Sequence, residues 1–413
     1  MINAPPTTPA QTYLLQQQRR YPPRYPKLDG LDRAQQLFRV LAISLPESLK
    51  NSIANGTVTI GEIGRNVPYV RAVPLGSGNF VVEFTSGMMD FQYAVARALT
   101  GLDSSNVSQK PLPLRKEVIA RLVRKVLLQW SRYMRWSIVW PRPKVEIPNV
   151  QASQSAVDFF ELVATAGELF MLAHELGHIA LNGGLVGQIY GNEEMDADFY
   201  GLQFLLPAAE TKWHKRVAYG SPVFAIRFLA SLERLGVRFA EQYPPEAERM
   251  RMLREQIRKL CPSQQYFFEV STIMVAWQDM LDDIDNLINP KSPRTFPDVD
   301  RVSVRLIAEL EEVARGNITL EKFIEHIGNL GKVYPHETVS KAMQYLLHDY
   351  IRPPQEGGTF ISIQLRVLMT LKLAELVAQV PPDLKHFFPN PDKFIEDWTP
   401  QYSAWMAKKE NQP

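Results

Sequence analysis

Cysteine is nearly absent from this chain of 413 residues, which contains only Cys261. A single cysteine cannot form an intramolecular disulfide, and it cannot build a cysteine-rich zinc or iron–sulfur site. Any metal ion must therefore be held by histidine and carboxylate side chains. The N-terminal residues also lack a charged segment followed by an apolar run, so no secretion signal is expected. Together these absences favour a cytoplasmic location.

An excess of charge of one sign is missing as well. The 46 Lys and Arg residues face 44 Asp and Glu residues, which leaves a net charge of +2. Such a balance provides no general field for binding nucleic acid or an anionic membrane, so neither is expected as a partner. The basic run at residues 115–136 is interpreted as one solvated face of a helix. Gly-rich phosphate loops are also lacking, which leaves nucleotide chemistry without support.

Long hydrophobic runs without charge are lacking too. The two most apolar stretches, residues 159–181 and 360–380, are long enough to cross a bilayer. Both nevertheless carry several ionisable side chains, including Glu161 and Glu168 in the first and Arg366 in the second. Because charged side chains are costly inside a bilayer, both stretches are interpreted as buried helices of a protein without a membrane anchor.

The pattern along the chain predicts a mainly α (α+β) protein. Between residues 57 and 86, β-branched and aromatic runs separated by Gly and Asn predict a small antiparallel sheet. A short strand pair is predicted within residues 136–147, and helical periodicity punctuated by proline dominates from Ser155 onward. Four segments are expected: a flexible Pro/Gln-rich tail at 1–30, a small α+β region at 31–110, a core at 111–260, and a helical C-terminal lobe at 261–413.

The sequence HELGH at residues 174–178 carries the clearest chemistry. In a helix, His174 and His178 lie one turn apart on the same face, so both imidazoles can bind one ion. Glu175 is rotated by about 100° from His174, which lets its carboxylate act as a general base on water. The surrounding residues are apolar, and buried ionisable groups are costly unless they are paired or bound to a cation. The segment therefore predicts a metal site.

A catalytic metal needs a third protein ligand and an open position for water. Gly183 and Gly184 end the first helix, and a second helix begins after Asn192, so the two can pack against each other. Glu194 is the expected third ligand, and Asp198, one turn further, is expected to accept a hydrogen bond from a ligand histidine.

The acidic start of the second helix also permits different roles for these side chains. Glu193 and then Asp196 are the alternatives to Glu194 as third ligand. Acidic residues in the first turn of a helix can equally serve to interact favourably with the helix dipole. That role accounts well for Glu193 and Asp196, but Asp198 lies beyond the first turn.

These two motifs resemble those of the gluzincin metallopeptidases, which pair HExxH with a glutamate ligand followed four residues later by aspartate. HELGH and EMDAD at residues 194–198 match that pattern. The resemblance implies a zincin-like core and a zinc ion held by His174, His178 and Glu194. It covers about residues 155–255.

A third segment, YPPEAERMRML at residues 243–253, is similar to an HPPxxxRxxxL element of the HtpX and CAAX prenyl-protease families. Tyr243 stands here in place of histidine. If the similarity holds, Tyr243 or Arg249 would stabilise an oxyanion or brace a carboxylate. The alternative is an ordinary helix start with proline in its first turn.

Those two families are embedded in membranes, whereas this chain is expected to be a soluble relative. Soluble gluzincins of this kind include phage-exclusion proteases of the Lit type and regulatory proteases that act beside helix-turn-helix repressors. The sequence does not distinguish between these two groups.

The expected function is that of a zinc-dependent metallopeptidase acting on a protein or peptide, with Glu175 as general base. The alternative is a non-catalytic helical interaction or regulatory protein with a structural metal site, which a closed set of four ligands would reveal. A third possibility is a latent enzyme whose site is covered by the tail at 1–30 or by the C-terminal lobe.

Overall fold

Helices account for most of the structure, a computed structural model, and they form two compact units. The first unit comprises Met1–Leu260 and Leu281–Pro293, and the second comprises Cys261–Met280 and Arg294–Pro413. Besides its helices the described part contains one three-stranded sheet, which confirms the predicted mainly α (α+β) class. The described residues are 8–100, 114–136, 154–212, 215–234, 244–288, 298–350, 363–388, 393, 394 and 396.

The N-terminal segment contains a helix where composition predicted a flexible tail. Helix α1 (Pro9–Arg20) begins with a capping box, in which Thr8 and Gln11 each bond the backbone amide of the other. Its residues Ala10 and Leu14 are buried against Ile63 and Val81 of the sheet. Composition alone does not predict this helix, because a short helix with a small apolar face is stable only when that face packs against the sheet.

The sheet is mixed, whereas the strand pattern predicted an antiparallel one. Its strands are β1 (Val58–Ile63), β2 (Val70–Pro74) and β3 (Phe80–Thr85), in the order β1-β3-β2. β2 and β3 form the expected antiparallel hairpin around residues 76–79, but β1 pairs with β3 in parallel. The alternation of apolar residues identifies strands without fixing their order, and here the connection after β1 carries β2 to the far side of β3.

The remaining helices of the first unit include the one that carries HELGH. The helix that carries HELGH, α6 (Gln154–Asn182), packs mainly against α7 (Glu193–Lys212), α8 (Lys215–Arg234) and α4 (Ser86–Leu99). The helices up to α9 are α2 (Arg33–Leu41), α3 (Glu47–Ala54), α4 (Ser86–Leu99), α5 (Leu114–Trp136), α6 (Gln154–Asn182), α7 (Glu193–Lys212), α8 (Lys215–Arg234) and α9 (Glu246–Leu260).

The second unit is built on an apolar core that residues such as Leu310, Phe323 and Leu373 form. Helix α10 (Gln264–Ile288) contributes its residues up to Met280 to this unit. The other elements are α11 (Asp298–Ala314), α12 (Leu320–Val333), α13 (His336–Gln344), a π-helical turn (Tyr345–Tyr350), α14 (Ile363–Gln379) and a 3₁₀ turn (Lys385–Phe387).

Two sequence-based expectations concern other parts of the chain. The strand pair predicted within residues 136–147 lies outside the described residues, apart from Trp136 at the end of α5. Among the described helices, none combines the length and the hydropathy that a bilayer crossing requires.

Candidate metal centre

Two glycines bring α6 and α7 close enough to share one site. A Cβ atom on Gly177 would lie 2.7 Å from the carbonyl oxygen of Ala197, and one on Gly201 would lie 3.0 Å from the Cα of His174. A larger residue at Gly177 would push the helices apart, because Cβ atoms do not approach backbone that closely in packed proteins, and one at Gly201 would be tightly crowded. The glycine inside HELGH therefore allows α7 to deliver Glu194 to the histidines of α6.

His174, His178 and Glu194 form a group that could hold a metal ion. The two Nε2 atoms of the histidines lie 3.2 Å apart. Oε2 of Glu194 is 3.3 Å from Nε2 of His174, and its Oε1 is 3.6 Å from Nε2 of His178. Three donor atoms of the types that zinc prefers thus face one another at the contact of two helices.

The spacing of these donors fits a tetrahedral ion. Bonds of about 2.0–2.1 Å from zinc to nitrogen and oxygen place tetrahedral ligand atoms about 3.3 Å apart. The donor set contains two imidazoles and one carboxylate, as in catalytic zinc sites with one position open for water. The residues present therefore fit the ion that the sequence predicts.

The electrostatics of the group also favour a cation. Burial lowers the pKa of His174, but its interactions with Asp198 and Glu194 outweigh burial and raise the pKa to about 10. Burial raises the pKa of Glu194, but the two histidines outweigh it and hold the pKa below its usual value. The carboxylates thus stabilise positive charge on the imidazoles, and a bound metal ion would supply that charge instead.

The Nδ1 atom of each histidine lies beside a carboxylate. Nδ1 of His174 lies 2.9 Å from Oδ1 of Asp198, and Nδ1 of His178 lies 2.9 Å from Oε1 of Glu193. A carboxylate at Nδ1 fixes the ring orientation and keeps the Nε2 lone pair available for a metal. Glu193, which the sequence offered as an alternative ligand, instead contacts the remote nitrogen of His178.

Arg249 contacts the deeper of these two carboxylates. Its Nε and Nη2 atoms donate to Oδ2 and Oδ1 of Asp198 at 3.0 and 2.7 Å. Burial raises the pKa of Asp198, but the charge of Arg249 and the bond to His174 lower it overall. A bidentate pair of this kind holds a carboxylate both ionised and oriented. The structure thus connects α9 to α6 through Asp198.

The other predicted residues occupy different positions. Asp196 turns away from the histidines, and its Oδ1 accepts the backbone amides of Ile189 and Tyr190 at 2.9 and 2.8 Å. It therefore fixes the loop between α6 and α7 and does not join the donor group. Tyr243 lies outside the described residues.

Glu175 is buried beside the donor group and contacts the edge of the sheet. The backbone amide of Ala72 in β2 donates to its Oε2 at 2.6 Å. Burial raises the pKa of Glu175, although the neighbouring His174, His178 and the Ala72 amide oppose that shift. A carboxyl group with a raised pKa is suited to accept a proton near neutral pH. Sequence reasoning missed the contact with β2, because no local pattern encodes it.

Comparison with known protein families identifies a similarity to peptidases. Residues 95–271 match the family model of Peptidase U49. The matched range is less than half of the chain, and it includes His174, Glu175, His178 and Glu194. This match supports peptidase activity on a protein or peptide substrate. No curated protein and no solved structure matches the chain.

Proposed function

We propose that this protein is a zinc-dependent metallopeptidase of the gluzincin type. The observation that carries the proposal is the group of His174, His178 and Glu194, whose donor atoms have the spacing of a tetrahedral zinc site. The Peptidase U49 match supports the reaction class, and the HELGH and EMDAD motifs support the gluzincin assignment. Lit-type proteases and the regulatory proteases that act beside repressors remain the proposed relatives.

Glu175 is the proposed general base. A zinc ion, when bound, supplies a Lewis acid that polarises the peptide carbonyl and lowers the pKa of water. Glu175 accepts the proton of the attacking water on a carboxylate oxygen and then donates it to the amine nitrogen that leaves. Asp198 and Glu193 orient the histidines through Nδ1, and Arg249 braces Asp198.

The substrate is proposed to lie along β2. The carbonyl of Tyr69 accepts the backbone amide of Thr85 in β3, and the amide of Leu75 donates to the carbonyl of Asn79. In this antiparallel register the alternate residues Val70, Ala72 and Pro74 direct their backbone groups away from β3. Within the described residues β2 lies at the edge of the sheet, and the amide of Ala72 donates to Glu175. An extended peptide that pairs with this edge would place a backbone carbonyl beside the general base.

A structural metal site in an interaction protein is the alternative function. Such a site holds four protein ligands and leaves no position for water. The donor group found among the described residues contains three, and the two nearest carboxylates contact the remote nitrogens of the histidines. This arrangement favours the enzyme.

The deciding experiment combines metal content with peptide cleavage. Protein purified without chelators is expected to contain about one zinc per chain, and His174→Ala is expected to contain none. The zinc-loaded protein is expected to cleave members of a peptide library, whereas Glu175→Gln should keep its zinc and lose roughly a hundredfold to ten-thousandfold in turnover. Stoichiometric zinc without cleavage by the wild type would favour the structural alternative, and turnover retained by Glu175→Gln would remove Glu175 as the base.

A further inference from the structure

A cleft is lined by residues of α6, α8, α9 and β2. Two of its wall residues come from elements that already contact the general base. Met171 lies one helical turn before Glu175 on α6, and Val70 lies two residues before Ala72 on β2. A side chain of a peptide held along β2 can therefore enter this cleft from a position next to the reacting bond.

The opposite wall of the cleft is one stripe of α8. Ile226, Leu229, Ala230 and Glu233 line it, and these positions repeat at the helical spacing of three and four residues. The first three are apolar, and the fourth places a carboxylate at the far end of the stripe. This wall therefore combines an apolar surface with a single acidic group.

The charged groups that line the cleft differ in whether they have partners. Arg249 holds Asp198 through two hydrogen bonds, and Glu246 is paired with Arg227 and Arg234. Those contacts occupy the charged atoms of Arg249 and Glu246 with groups of the protein itself.

Glu233 makes no hydrogen bond and no ion pair with any residue in the described parts of the chain. Burial raises its pKa, although Arg249 and Arg234 lie near enough to oppose the shift. Its side chain is exposed, so water solvates the carboxylate, and a cationic side chain in the cleft can pair with it as in a surface ion pair.

We propose that Glu233 is a specificity-determining residue that selects a lysine or arginine side chain of the substrate next to the scissile bond. The proposal rests on the proposed peptidase function. The aliphatic part of such a side chain packs on the apolar walls at Met171, Ile226 and Leu229, and its charged end reaches Glu233. Long basic side chains commonly bury their stems in this way while the charge stays near solvent.

Peptide binding tests this proposal without requiring turnover. The probes are fluorescent octa-alanine peptides with one central residue replaced by lysine, norleucine or glutamate. Norleucine keeps the aliphatic stem of lysine and lacks its ammonium group. The protein is full-length, zinc-loaded Glu175→Gln, in which the peptides stay intact.

We expect the lysine peptide to bind about fivefold more tightly than the norleucine peptide, as for a partly exposed ion pair, and the glutamate peptide to bind most weakly. Adding Glu233→Gln should bring the ratio of the lysine and norleucine dissociation constants close to one. Adding Glu248→Gln is the matched control, because this exposed acid on α9 lies outside the cleft wall, and the ratio should persist. Equal affinities in the presence of Glu233, a ratio that survives Glu233→Gln, or no binding of any peptide would each overturn the proposal.

Cleavage of a peptide library by the zinc-loaded wild type separates this proposal from the proposed function. A preference for Lys or Arg beside the cleaved bond, lost in Glu233→Gln, would support both. Cleavage without that preference would overturn the role of Glu233 and would still support the proposed peptidase function. Selective binding without any cleavage would instead support the role of Glu233 and overturn the peptidase function.

Discussion

Two buried ionic clusters of the first unit differ in whether the protein supplies their cations. In the first cluster, Arg227 pairs with Asp282 at 2.6 Å and also contacts Glu246 and Asp285. Arg234 contacts the last two carboxylates as well. Guanidinium groups are always charged, so this cluster is complete without any ligand.

The second cluster is the candidate metal centre, and its histidines are ionisable groups that carry charge only when protonated. Two Nε2 atoms face each other at 3.2 Å with the carboxylate of Glu194 beside them. Asp198 is the exception within it, because Arg249 supplies its cation. The difference between the two clusters shows that buried charge alone does not identify a functional site. The informative feature is a set of donors that lacks a permanent cation of its own.

The largest effect expected from this comparison is the loss of metal in Glu194→Ala. Binding free energies of about 10–16 kcal/mol for four-ligand zinc sites imply that one lost ligand weakens binding roughly a hundredfold to a thousandfold. A zinc competition assay with a chromophoric chelator measures the affinity, and circular dichroism checks that the fold is kept. Unchanged affinity would transfer the third ligand position to Glu193.

Arg227→Met should lower the stability of the fold and leave zinc binding unchanged, which is the opposite of the result expected for Glu194→Ala. Removing the Arg227 guanidinium breaks its pair with Asp282 and leaves Glu246 and Asp285 to share Arg234. A broken buried pair costs about 3–5 kcal/mol of unfolding free energy. Zinc bound per folded chain should stay at the wild-type level, because Arg227 does not contact the donor group. Denaturant unfolding of the zinc-free protein measures the stability. A loss of zinc with normal stability would mean that the two clusters are not independent.

The same comparison explains how far the sequence predicts the structure. The positions of His174, His178 and Glu194 follow from helical spacing and from the helix–loop–helix pattern around Gly183 and Gly184, because both are local properties of the chain. Their convergence on one point also depends on Gly201, whose importance appears only when α6 and α7 are packed together.

Contacts between distant segments were the ones that sequence reasoning missed. The amide of Ala72 reaches Glu175 across more than one hundred residues, and the parallel pairing of β1 with β3 likewise joins separate segments. Neither periodicity nor turn chemistry encodes such pairings, since both describe neighbours along the chain. The helix at Pro9–Arg20 was missed for the same reason, because its stability comes from the sheet on which it packs.

A smaller effect is expected from Asp198→Asn, which leaves the donor group itself intact. The substitution removes the negative charge that faces Nδ1 of His174 and leaves the buried guanidinium of Arg249 without its carboxylate. Loss of a carboxylate behind a ligand histidine typically weakens metal binding about 10–100-fold. The same chelator competition measures it. An affinity equal to that of the wild type would show that Asp198 supports folding and does not tune the metal.

Glu193→Gln should have the smallest effect of the series. Glu193 stands behind His178 as Asp198 stands behind His174, at the same 2.9 Å, but its side chain is 48% exposed whereas that of Asp198 is 3% exposed. Water screens the interaction of an exposed carboxylate, so zinc affinity should fall less than about tenfold. Side-by-side titration of the two variants compares a buried and an exposed carboxylate at the same distance from Nδ1, with the Arg249 pair of Asp198 as a second difference. If Glu193→Gln weakened zinc binding as much as Glu194→Ala, Glu193 would be a metal ligand in solution and not a carboxylate that only orients His178.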